Sequence, residues 1–105
     1  MSTGALEVEV DELGAKTVVS VDTTVFCLEA LYKTAYWHTE NNYLFLSRAD
    51  RNVILVEIRP KVPVSDPAVL EDLGGEFCNA LIDQQVRQVV IAETSEIRTE
   101  LVRKA

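Results

Sequence analysis

Glu76 to Val90 reads EFCNALIDQQVRQVV, fifteen residues free of proline and glycine. Their apolar positions recur at helical spacing, yet on more than one side. At about 100° per residue, Cys78, Ile82, Val86, Val89 and Val90, with Ile97 beyond, fall on one side. Phe77, Ala80 and Leu81, with Ile91 and Ala92 beyond, collect on another, among Gln84 and Gln88. Asp83, Arg87, Thr94 and Arg98 occupy the polar sector between. A small domain needs one apolar helix face for its core, and the first stripe is wide enough to cover a sheet. It is assigned to the core. The second face must then be covered by the N-terminal strand or the C-terminal tail, or meet another chain.

Upstream of this stretch, Asp66-Pro67 starts a helix, with the acid as cap and proline at the first helical position. Val69, Leu70 and Leu73 follow before Gly74-Gly75, a pair expected to bend or break the helix at about 1 kcal/mol per glycine. A long helix is expected from about Glu76 to Glu93, with Thr94-Ser95-Glu96 either continuing it or capping a last segment. Before it, YLFLS (Tyr43 to Ser47) and VILVEIR (Val53 to Arg59) flank the turn-compatible RADRN and make a hairpin, which Pro60 and Pro63 end. Asp22, Thr23 and Thr24 can cap a helix N-terminus, and Leu28, Leu31, Tyr32 and Ala35 share one face, so a first helix is placed from about Thr24 to His38. TENN (Thr39 to Asn42) ends it. At the N-terminus Leu6, Val8 and Val10 alternate with Glu7, Glu9 and Asp11, and TVVSV (Thr17 to Val21) is β-branched, so two strands join across DELGAK.

The order is strand, strand, helix, strand, strand, helix. It predicts one α+β domain over residues 1–105: a two-layer sandwich with an antiparallel or mixed four-stranded sheet and both helices on one face, ferredoxin-like in plan. The 105 residues suffice for a single core, and the apolar fraction of 48% and charged fraction of 26% are those of a globular chain.

Ten Lys and Arg against seventeen Asp and Glu leave a net charge of -7. The one basic concentration is Arg98, Arg103 and Lys104, interrupted by Glu100, so nucleic acid is not an expected partner. No stretch approaches the roughly 20 apolar residues that span a bilayer. The N-terminal segment is acidic and lacks an apolar run, so no secretory signal is expected, and the cytoplasm is the expected compartment. Cys27 and Cys78 lie far apart in apolar contexts and are expected to be buried free thiols. One histidine, His38, with neither a C-x-x-C nor an H-x-x-x-H pair, does not make a metal site. A thiol enzyme using Cys27 or Cys78 with His38 is the weakest reading, because apolar surroundings suppress the thiolate. Neither a catalytic set nor a cofactor is expected.

What remains is a surface for a partner. Phe77, Leu81, Gln84 and Gln88 belong to the second helix's extra face. Trp37 falls off the core stripe of the first helix, where an amphipathic aromatic suits an interface. Asp83 and Arg87 stand one turn apart with the acid first, as a helix ion pair or as groups that fix the register of a partner.

The same stretch resembles the His-Xaa-Ser system protein HxsD family, whose signature near the C-terminus is L-L-N-D-Y-x-L-R-E. The aligned run is Ala80-Leu81-Ile82-Asp83-Gln84-Gln85-Val86-Arg87-Gln88. Leu81, Asp83 and Arg87 match and Val86 is conservative, whereas Ile82, Gln84 and Gln88 depart. SVDTTVFCLEALYKTAYW (Ser20 to Trp37) is similar to the family's strand-turn-helix segment, and AETSEIRTEL (Ala92 to Leu101) to its ending. The resemblance implies an accessory protein encoded with two radical S-adenosylmethionine proteins and a substrate protein bearing His-Xaa-Ser repeats. The expected partner is then such an enzyme or its repeat-bearing peptide, and this chain itself lacks the three-cysteine cluster such enzymes need. The alternative is a homodimeric structural protein with no part in peptide modification, paired through the same face.

Overall fold

A computed structural model describes residues 4–104 except Glu12, Gly14 and Ser65, with side chains inside the last helix described as far as Thr94. The elements run β1 (Leu6–Asp11), β2 (Lys16–Asp22), α1 (Leu28–His38), β3 (Asn42–Asp50), β4 (Val53–Pro60) and α2 (Pro67–Lys104). This is the expected ββαββα order. The sheet order is β1-β2-β4-β3, and all three pairings are antiparallel. Strands β2 and β3 therefore run parallel with β4 between them, a split crossover through α1. In the ferredoxin-like plan a last strand returns beside the first. Here β1 takes that place, so α2 need not lead into a strand and is free to run on.

Strand alternation decides which residues meet the helices. Val8, Val19, Val56 and Leu46 form one cross-strand row, and Val10, Thr17, Ile58 and Leu44 the next. Their centres are fully buried: Val19, Val56, Thr17 and Ile58. The core is completed by Ala30, Leu31 and Ala35 of α1 and by Phe77 and Leu81 of α2. The opposite side of the sheet carries the charged and aromatic partners of the same alternation, among them Glu9, Glu57 and Phe45.

The first helix starts four residues later than its capping residues predict. The Asp22 carboxylate accepts the backbone N–H of Thr24 at 2.8 Å and its hydroxyl at 2.6 Å, an Asx turn rather than a helix cap. These bonds hold the Asp22 carboxyl below the usual carboxylate range, the hydroxyl bond having the larger effect. The turn drops Phe26 into the core and leaves Cys27 as the N-cap of α1. Cys27 is exposed, against the expectation of burial. Cys78 is partly buried, and its loss of hydration raises the thiol's pKa.

Two expectations for α2 are overturned. It is one helix from Pro67 to Lys104, uninterrupted at Gly74-Gly75. Gly74 serves close packing instead: a Cβ there would lie 2.4 Å from Val8 Cγ1 and 2.9 Å from Thr17 Cγ2. The Thr17 hydroxyl donates to the Leu70 carbonyl at 2.6 Å, one turn earlier. The glycine thus lets the helix backbone settle onto β1 and β2, which also draws the N-terminal strand into the sheet.

That approach fixes the helix's rotation. Leu70, Gly74, Phe77 and Leu81, spaced four, three and four, all point inward and are buried. The stripe assigned to the core from the sequence faces out instead, with Ile82, Val86, Val89 and Val90 exposed. Both faces are apolar, and the inner one is the one that contains the glycine.

Candidate partner-binding surface

The seven residues singled out from the sequence separate into three groups. Phe77 and Leu81 are fully buried in the core, and a side chain without accessible surface cannot contact a partner while the fold stands. Their assignment to an outward face is corrected accordingly. Gln88 is engaged with α1: oriented to suit its neighbours, its amide donates to Glu29 at 3.2 Å and accepts from Lys33 at 3.1 Å. Glu29 and Lys33 form their own i, i+4 pair at 3.4 Å.

Trp37, Asp83, Gln84 and Arg87 do come together. With Thr34, His38 and Ala80 they line a depression of about 460 Å³ between the end of α1 and the middle of α2. Trp37 is 74% exposed and also borders a larger hollow of about 760 Å³, whose walls include Val62, Val69 and Leu73. The Arg87 guanidinium donates to Asp83 at 2.8 Å with both side chains in water. That bond, and the attraction that goes with it, raises the guanidinium's pKa. Solvent screens it, and its stabilising effect on the helix is small.

His38 is turned to structural use. Its Nδ1 lies 2.9 Å from the Thr34 carbonyl, which can only accept, so this nitrogen carries the proton. The ring packs on Phe77 at a centroid distance of 5.2 Å. Cys27 stands at the other end of the 11-residue α1, about 16 Å away at helical rise. Among the described residues there is no group of three or more His, Cys, Asp or Glu able to hold a metal ion. Nor is any described helix long and apolar enough to cross a membrane.

The outer face of α2 is the part that the sequence reading misplaced. Ile82, Val86 and Val89 follow one another at spacings of four and three, exposed by 48%, 57% and 46%. From Val89 to Thr94 every side chain is exposed. Val89 to Lys104 extends about 24 Å at 1.5 Å per residue. The sequence holds the signal for this inversion in the Leu70-Gly74-Phe77-Leu81 spacing, once Gly74 is read as a contact rather than a break.

The molecule is thus a small two-layer α+β domain with a closed core, a projecting helix and an apolar outer stripe. The family model for His-Xaa-Ser system protein HxsD matches residues 21–105, and the chain belongs to that family. Membership associates it with the His-Xaa-Ser system and with accessory proteins rather than a known class of enzymes. No curated protein and no solved structure matches the chain.

Proposed function

We propose that this protein is a non-catalytic accessory subunit of a His-Xaa-Ser peptide-modification system. It works in the cytoplasm by holding a radical S-adenosylmethionine enzyme or the repeat-bearing peptide which that enzyme modifies. The outer face of α2 carries the reading. A domain whose core is already complete keeps Ile82, Val86 and Val89 in water, at the four-and-three spacing by which one helix packs on another. Trp37, beside the exposed Asp83/Arg87 pair, adds an aromatic anchor of the kind that dominates binding energy at interfaces. The same spacing suits a second copy of the chain in a symmetric dimer, and this is the competing reading.

Co-expression of the tagged protein with the radical enzymes and the repeat-bearing substrate, followed by size-exclusion chromatography with light scattering, separates the two. A discrete heteromeric complex that Val86→Glu or Trp37→Ala weakens, with the circular dichroism spectrum unchanged, supports the accessory reading. A homodimer that ignores every candidate and dissociates on Val86→Glu assigns the stripe to self-association and removes the accessory reading.

A further inference from the structure

The two edges of the sheet differ in kind. Edge strand β1 is six residues long and lines its outer flank with Glu7, Glu9 and Asp11, charges of the sort that discourage pairing with another strand. Edge strand β3 is nine residues long and exposed along most of its length. The Lys61 N–H donates to the Asn41 carbonyl at 2.9 Å. Carried along the antiparallel register of β3 with β4, that bond directs the backbone groups of Tyr43, Phe45 and Ser47 toward β4. The N–H and C=O groups of Leu44, Leu46 and Arg48 consequently point away from the sheet, into the space where a fifth strand would lie.

Both flanks of this edge are built for side chains. On the helix side, Tyr32 of α1 with Leu46, Ser47, Arg48 and Ile54 lines a shallow depression of about 190 Å³. Leu28, Tyr32 and Tyr36, one turn apart, form an exposed ridge along α1. On the open side Tyr43 and Phe45 are exposed, and cations lean over their rings: Lys61 Nζ lies 5.4 Å from the Tyr43 centroid and Arg59 Cζ 5.8 Å from that of Phe45. Glu57 lies among these cations but is already taken by Lys16 at 2.9 Å and Arg59 at 2.8 Å. Four of the chain's ten Lys and Arg, namely Arg48, Arg51, Arg59 and Lys61, stand on this hairpin or at its end. In a chain of net charge -7 this is a local reversal of sign.

We infer that the β3 edge binds an extended peptide by strand addition, one in which apolar and acidic residues alternate. Its apolar side chains face Leu44, Leu46 and Tyr32, and its acids face the Tyr43/Phe45 side beneath Arg59 and Lys61. Main-chain bonds supply the affinity and the two flanks the selectivity. This surface is separate from the outer face of α2, so the inference and the accessory reading fail independently. The chain's own β1 has the same alternation, Leu6, Val8 and Val10 against Glu7, Glu9 and Asp11. A second copy is therefore the rival occupant.

The full-length protein is titrated, at low salt, into fluorescein-labelled Glu-Val-Glu-Leu-Glu-Val-Glu-Leu and into the same peptide with Lys for every Glu, with anisotropy as the readout. The acidic peptide binds at least tenfold more tightly. Two backbone-methylated versions follow, one methylated on the Val and Leu nitrogens and one on the Glu nitrogens. One of the two loses at least tenfold in affinity, whichever orientation the added strand takes, and the other does not. Leu46→Pro removes an outward N–H while sparing the ladder to β4, a position where an edge strand tolerates proline. It abolishes binding with the far-ultraviolet spectrum retained, and should it not fold, the methylated pair decides alone. Absence of binding, equal affinity for the lysine peptide, or equal loss or equal retention with both methylated versions overturns the inference. So does concentration-dependent growth in light scattering that Leu46→Pro removes, which gives the edge to a second copy.

Discussion

Gly74 and Gly75 are neighbours in one helix, and alanine at the two positions should change stability in opposite directions. In a helix interior, glycine to alanine gains about 1 kcal/mol from the backbone alone. At Gly75 the added methyl meets nothing within 4 Å, so that gain appears undiminished, as a rise in Tm of roughly 5 °C for a domain of this size. At Gly74 the methyl would lie 2.4 Å from Val8 Cγ1 and 2.9 Å from Thr17 Cγ2. Neither neighbour gives way readily: Thr17 is fully buried and its hydroxyl is bound to Leu70, while Val8 sits on a strand paired along its whole length with β2. Overpacking of this kind costs roughly 1–3 kcal/mol, and contacts this short belong in the upper part of that range. The net loss is about 1–2 kcal/mol, or a Tm lower by roughly 5–10 °C. Thermal and urea unfolding followed by circular dichroism measure both variants against the parent. Combining Gly74→Ala with Val8→Ala should recover part of the loss, a coupling that independent sites would not show. If Gly74→Ala stabilises the protein as much as Gly75→Ala does, the close approach of α2 to β1 and β2 is wrong, and with it the rotation of the helix.

The two faces of α2 give a second contrast. Phe77→Ala in the core should cost about 3–5 kcal/mol, a large share of the stability of a small domain, whereas Val86→Glu on the outer face should leave the urea midpoint of the monomer nearly unchanged. The thiols should differ in rate: with iodoacetamide at neutral pH, mass spectrometry should find exposed Cys27 modified at least tenfold faster than Cys78, whose burial keeps it protonated. Glu57 should shape the acid limb of stability. Its bond from Lys16, and secondarily the Arg59 partner, hold its carboxyl below the usual glutamate range. The folded state thus binds this proton less readily than the unfolded chain does. Its contribution is complete above the unfolded pKa and disappears as pH falls through the folded one, so Glu57→Gln should flatten the decline in urea midpoint on acidification.

The order of elements was legible because each rests on local physics. The alternation of Leu6 to Asp11, the β-branched Thr17 to Val21, the hairpin runs around the Arg51-Asn52 turn and the Asp66-Pro67 helix start all declare themselves within a few residues, and the structure places an element at each. Misreadings arose where one local signal supports two structures. Asp22 with Thr24 serves a helix cap or an Asx turn equally well, and the choice follows from Phe26 reaching the core. Phe77 and Leu81 look like partner contacts only while the other stripe of α2 is taken for the core.

Sequence by itself determined that α2 is a helix with two apolar faces and a polar sector holding Asp83 and Arg87. Which face turns inward is a matter of tertiary structure, because hydrophobic periodicity is nearly balanced between the two and cannot rank them. The balance is broken by distance of approach. Only the face containing Gly74 lets the helix backbone come close enough to Val8 and Thr17 for Leu70, Phe77 and Leu81 to fill the space above the sheet. With that face spent on the core, Ile82, Val86 and Val89 are left in water.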